Sequence, residues 1–172
     1  MSNTQTSINQ TMKPMFFSAG KKIVSFITLL VAFTSFASAQ QNEYEFIKTQ
    51  FQSDKKTLLM QYLALPDADA AKFWPIYTEY EKERGEMADK RFANLKTYAD
   101  TYKTMTDEQA DNMINSYWNH NEKVDAIKKK YYSQVKKTLT AKTAASWIQF
   151  EEYIDAAVQQ ELLENVPFIK AK

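Results

Sequence analysis

The chain has 172 residues with no cysteine, two glycines and four prolines, and its 22 Lys and Arg nearly balance 21 Asp and Glu. That length allows one domain, and the missing cysteines exclude a disulfide framework, a thiolate nucleophile and a Cys-based zinc site. A single histidine, His120, excludes multi-His metal sites, and the one glycine beyond residue 39, Gly85, leaves no glycine-rich phosphate loop.

The first 39 residues hold Lys13, Lys21 and Lys22 and no acid. Residues 23–36 read IVSFITLLVAFTSF, an uncharged run of 14 set between Lys21-Lys22 and Ala37-Ser38-Ala39. A basic stretch, a short apolar run and an Ala-x-Ala site are the parts of an export signal. A spanning helix needs about 20 apolar residues, so this run is too short for one. Residues 1–39 are therefore expected to be a cleaved signal peptide, with Met12 and Met15 as alternative starts, and 40–172 a single all-helical domain. That domain is expected in the periplasm, exported and soluble, with no stable membrane insertion after cleavage. It carries 19 basic and 21 acidic residues, a net of −2, where a polyanion binder has a strong basic excess, so nucleic acid is not an expected partner.

From residue 40 on, only Pro66, Pro75, Pro167 and Gly85 punctuate the chain, and no Asn-Gly or Asp-Gly hairpin signal occurs. Apolar residues recur at three and four instead. Four helices are predicted, over about 42–63, 67–103, 107–138 and 141–165, with stops at Leu65-Pro66-Asp67 and Pro167. In the second, Phe73, Tyr77, Tyr80, Met87, Leu95, Tyr98 and Tyr102 form a stripe that Arg84 and Arg91 interrupt. Pro75 removes a backbone donor there, which predicts a kink or a separate short turn before it. In the third helix Ala110, Met113, Tyr117, Val124, Tyr131, Val135 and Leu139 form the stripe, with Asn121 and Lys128 in its remaining positions. Stripes of this kind are the seams of antiparallel helical hairpins. Two helices of over 30 residues would each reach roughly 45–55 Å, which fits an elongated, curved hairpin.

Three helix starts share a pattern: Leu65-Pro66-Asp67-Ala68-Asp69, Met105-Thr106-Asp107-Glu108-Gln109 and Leu139-Thr140-Ala141-Lys142-Thr143. In the second, Thr106 is placed to cap the helix and Gln109 to reach back to the Thr106 amide, a capping box. Asp107 and Glu108 complement the helix dipole. The third keeps Leu and Thr but has Thr143 in place of Gln, and the first keeps only its leading Leu65. A Leu/Met-Thr-x-x-Gln start after an export signal, in a Cys-free helical chain of this size, resembles the Spy/CpxP-like periplasmic proteins. The resemblance implies a thin, curved, all-α dimer whose concave face holds unfolded or partner proteins without ATP. Some members damp an envelope-stress sensor kinase, and some bind zinc through His-rich segments. This chain departs from the family in its slightly acidic charge and in lacking a His-rich segment.

No catalytic constellation emerges. At helical spacing His120 has Ser116, Tyr117, Lys123 and Val124 as neighbours, none of them a carboxylate or a second His. Glu79, Glu83 and Glu86 share a face with Lys82, Arg84 and Lys90, the mixture of a solvated face. Lys128-Lys129-Lys130 and Lys136-Lys137 read either as a solubilising helix end or as a patch attracting acidic clients or anionic lipid heads. Trp74, Trp118 and Tyr132 fall off the stripes and are candidate client contacts or dimer contacts, with Lys128 and Lys129 beside them. The reading is an all-α four-helix elongated curved hairpin, a homodimer, not an enzyme, with no cofactor or metal. Its expected role is to bind unfolded or envelope proteins, as an ATP-independent chaperone or a stress-response modulator. The other reading is a structural accessory of an envelope complex with one dedicated partner.

Overall fold

The computed structural model describes residues 37–170, with side chains from Tyr44 onward. The expected leader lies outside the described residues, apart from 37–39, whose backbone opens the first helix. The chain is all-α: α1 is Ala37–Leu63, α2 Asp67–Thr101, α3 Asp107–Thr138 and α4 Ala141–Asn165, with no strand among the described residues.

The helix ends follow from local chemistry. α3 starts on a reciprocal capping box, in which the Gln109 amide donates to Thr106 Oγ1 at 3.2 Å and the Thr106 amide to Gln109 Oε1 at 2.9 Å. At the start of α4 the Thr143 amide donates to Thr140 Oγ1 at 3.0 Å, and the two hydroxyls lie 2.9 Å apart. α2 has no side-chain cap; the amides of Asp69 and Ala70 donate to the Pro66 carbonyl instead, at 2.9 and 2.8 Å. α1 stops at Ala64, which takes φ 42° and donates its amide to the Met60 carbonyl. This is a left-handed helix stop, a conformation that a residue bearing a Cβ adopts only at a cost.

Three expectations are corrected here. α1 begins at Ala37, not near residue 42. α2 ends at Thr101, because the Thr104 amide turns back to the Thr101 carbonyl. It also runs unbroken through Pro75, so no separate turn precedes the proline.

The chain divides into two units. One comprises 59–150 with the segment from Pro167. In it α2 and α3 are antiparallel, as the Asn94–Ser116 and Glu83–Tyr131 hydrogen bonds show. Its core is aromatic. Trp147 of α4, fully buried, meets Tyr80 edge-on at 4.9 Å between ring centres, Phe73 at 5.8 Å and Tyr77 at 6.4 Å. Tyr131 and Val135 of α3 close this core, with Tyr131 edge-on to Tyr80 at 5.7 Å. Farther along α2 the Tyr98 hydroxyl donates to the Pro167 carbonyl, and burial pushes the Tyr98 phenol up from its ordinary value.

The other unit comprises the chain up to Leu58 and Glu151–Val166. It buries Tyr44 and Ile47 of α1 with Ile154 and Leu162 of α4. Between them lies an ion pair, Lys55 Nζ to Glu151 Oε2 at 2.6 Å, with side chains 5% and 0% exposed. Each residue interrupts an apolar stripe: Lys55 lies between Ile47 and Leu59, and Glu151 between Trp147 and Ile154. Opposite charges on two such stripes are the sequence signal for this pair. A buried charge is tolerated only when its partner is in place.

Candidate functional site

The buried stripe of α3 does not run its full length. Val124, Lys128, Tyr131 and Val135 are buried, whereas Ala110, Met113 and Asn121 are half-buried. Tyr117, on the same stripe and expected in the core, is 41% exposed. With its near neighbours Ile114, 39% exposed, and Trp118, 58% exposed, it forms a patch at i, i+3 and i+4 on one side of α3. Trp118 stands out in the sequence because it falls off the stripe, whereas nothing there marks Ile114, and the stripe places Tyr117 in the interior. Periodicity reports that a side is apolar, not whether another element covers it.

The other candidate contacts are dispersed. Trp74 is half-buried, edge-on to Phe73 at 5.1 Å and to Tyr77 at 5.5 Å, so it extends the aromatic core and is not a displayed side chain. Tyr132 is half-buried and Lys129 exposed. Lys128 is 7% exposed and cannot offer a client-binding ammonium at the surface; its stem lies along the stripe that Val124 and Tyr131 define. Of the capping residues, Leu65, Met105 and Leu139 are half-buried, while Thr106, Gln109 and Thr140 are exposed.

Lys130 points another way. Its ammonium lies 2.5 Å from Glu83 Oε1, which also accepts from the Tyr131 hydroxyl at 2.8 Å, and 4.8 Å from the centre of the Tyr131 ring. The hydrogen bond from Lys130, and then that from Tyr131, hold the Glu83 carboxyl below its usual range. Burial, then the bond to Glu83, pushes the Tyr131 phenol up, and the bond to Glu83 raises Lys130. The triad therefore favours a carboxylate, a phenol and an ammonium in their ordinary charge states, and ties α2 to α3. Glu79 and Glu86 are exposed and take no part in it.

An open groove of about 430 Å³ lies along the same two helices, lined by Lys90 and Asn94 of α2 and Asn115, Asn119, His120 and Lys123 of α3, among others. Lys123 is nine residues from Ile114, half a turn round the helix, so groove and patch occupy opposite sides of α3. The groove brings His120 near amides, ammonium groups and the hydroxyl of Ser116, which accepts a hydrogen bond from Asn94 at 2.9 Å. Among the described residues no group of three His, Asp or Glu is placed to hold a metal ion. No described helix is long and apolar enough to cross a membrane. No protein-family model matches the chain, and no curated protein or solved structure is detectably similar to it.

Proposed function

We propose that this chain is an exported, non-enzymatic protein-binding protein of the periplasm, homodimeric and acting without nucleotide. It would hold unfolded or envelope proteins as a chaperone or a stress modulator does. One observation carries the reading: a long helix keeps Ile114, Tyr117 and Trp118 exposed together, while the same helix buries its stripe two to five turns after Tyr117. Contiguous exposed apolar surface on a folded protein is costly to solubility and is a mark of interaction sites. Aromatic side chains with a polar edge suit adaptable contacts with many sequences. The Met105-Thr106-Asp107-Glu108-Gln109 start that resembles the Spy/CpxP-like proteins supports the same reading, as does the leader-like N-terminus.

The test is an aggregation assay on the chain beginning at Gln40, with several unrelated, chemically unfolded clients and no nucleotide. Suppression of light scattering for most of them is the expected result. No effect on any client, with one protein recovered in fixed stoichiometry from envelope extracts, would favour the dedicated-accessory reading. N-terminal sequencing of the exported protein should give Gln40 as its first residue.

A further inference from the structure

The third helix changes sign along its length. Residues 107–126 hold Asp107, Glu108, Asp111, Glu122 and Asp125 against Lys123 alone, a net of −4, and residues 127–138 hold five lysines and no acid. The helix dipole accounts for the ends, since Asp107 and Glu108 lie in the first turn and Lys136 and Lys137 in the last. It does not account for Glu122 and Asp125, about four turns from the N-terminus, because the dipole acts within the terminal turns.

These acids surround the apolar patch. At 100° per residue, Asp111, Ile114, Trp118, Glu122 and Asp125 fall within an arc of about 80°, with Tyr117 about 60° beyond its Ile114 edge. Asp111, Glu122 and Asp125 are all exposed. Asp111 accepts a hydrogen bond from Asn115 at 3.0 Å through Oδ2. Its other oxygen takes no part in that bond. Lys123, the one cation in residues 107–126, points to the opposite side, and the first cation on this side is the exposed Lys129, one turn beyond Asp125.

Size and charge together select the occupant. Ile114, Tyr117 and Trp118 at their exposures offer on the order of 300 Å². A second copy seated on this patch alone would bury roughly twice that, well short of the ~1,200 Å² of a stable interface. The patch is the size of a contact with one short segment. Its carboxylate rim repels an acidic segment and attracts a basic one, and the exposed indole of Trp118 is the best aromatic partner for a cation.

We propose that this side of α3 docks cationic apolar segments of client proteins, with Lys or Arg lying between the Asp111, Glu122 and Asp125 carboxylates and apolar side chains on Ile114, Tyr117 and Trp118. The proposal rests on the protein-binding reading and names which clients it favours.

Two labelled peptides of equal length and apolar content, one of Leu and Lys and one of Leu and Glu, test it by fluorescence anisotropy with the chain from Gln40. The Leu/Lys peptide should bind about tenfold more tightly at low salt, and added salt should narrow the ratio. Glu122→Lys/Asp125→Lys should remove or reverse the preference, and Ile114→Ser/Trp118→Ser should weaken both peptides; the altered residues are exposed, and circular dichroism checks that helicity is kept. Equal or tighter binding of the Leu/Glu peptide overturns the proposal. So does Leu/Lys binding that Ile114→Ser/Trp118→Ser leaves unchanged, and so does a dimer that this variant dissociates in light scattering, since a second copy would then occupy the patch. The protein-binding reading fails separately, when the wild-type chain restrains the aggregation of no unfolded client.

Discussion

The two halves of α3 carry one apolar stripe to different ends. In the C-terminal half, Val124, Tyr131 and Val135 are buried. There α2 and the first turns of α4 both supply aromatic rings, and Trp147 sits among Phe73, Tyr77 and Tyr80. In the N-terminal half the stripe positions Ala110, Met113, Tyr117 and Asn121 are only half-buried or exposed. The difference is one of neighbours, not of residue type, since Tyr131 and Tyr117 occupy equivalent positions two heptads apart. A helical stripe becomes core where two elements face it and becomes a contact surface where one does.

The sharpest test of that contrast uses two tryptophans. Trp147→Ala removes a side chain with no exposed surface from among three aromatic rings. The loss of transfer energy and the cavity left behind should lower stability by about 4 kcal/mol. Trp118→Ala removes a ring that is 58% exposed and should stay within about 0.5 kcal/mol of wild type. Chemical denaturation of the two variants decides the matter. Similar losses would mean that the two halves of α3 are equally packed.

The two ion pairs repeat the contrast in electrostatic terms. Lys55–Glu151 is removed from water, so Glu151→Leu takes the facing carboxylate from an ammonium in a site 5% exposed and should cost about 3 kcal/mol. Lys55→Met/Glu151→Leu should recover most of that loss, because an apolar pair needs no compensation. Lys130–Glu83 lies half in solvent, and Glu83→Gln should cost far less. Its pH dependence has a definite sign. The folded-state pKa of Glu83 is lowered, so its stabilisation is present above the ordinary carboxylate value and is lost as pH falls through the lowered one. The stability gap between wild type and Glu83→Gln should therefore close on acidification; a gap that persisted in strong acid would refute the assignment.

Local signals were readable in the sequence and long-range ones were not. The starts of α3 and α4 lie where Thr106 and Thr140 place them, and Asp67 opens α2 after Pro66, because caps and prolines act on their own few residues. The end of α2 was placed two residues late, since nothing in Tyr102-Lys103-Thr104 forbids another turn. The Lys55–Glu151 pair spans 96 positions and the Glu83–Lys130 pair 47. Lys55 and Glu151 each stand out as a charge on an apolar stripe, but neither helix alone names the partner. The exposure of Tyr117 and the burial of Lys128 were illegible for the same reason: the stripe gives azimuth, and only packing gives depth.

Helix starts allow a finer comparison. Thr106 sits in a reciprocal box with Gln109, whereas Thr140 caps Thr143 without a side chain that reaches back to its own amide. Thr106→Ala should cost about 1 kcal/mol, the usual loss for an N-cap. Gln109→Ala should bring Thr106 down to the one-sided arrangement of Thr140 at a fraction of that cost. Equal midpoints for wild type and Thr106→Ala in urea would mean that packing alone, not the cap, fixes where α3 begins.

The smallest expected effect is a gain, and it lies at the stop of α1. Ala64 at φ 42° places a Cβ against the neighbouring carbonyl, which costs roughly 1–2 kcal/mol in the left-handed region. Glycine removes that clash but brings about 0.5–1 kcal/mol of extra chain entropy to the unfolded state. The difference leaves Ala64→Gly more stable than wild type by about 0.5 kcal/mol. The Ala64 amide keeps its 3.1 Å bond to the Met60 carbonyl in either case, so the helix should still end at Leu63. Ala64→Val is the counter-test, because a β-branched side chain worsens the same contact and should destabilise. A protein in which valine is tolerated as well as glycine would have this residue in an ordinary right-handed conformation, and α1 would then end for a different reason, namely the restriction that Pro66 places on Leu65.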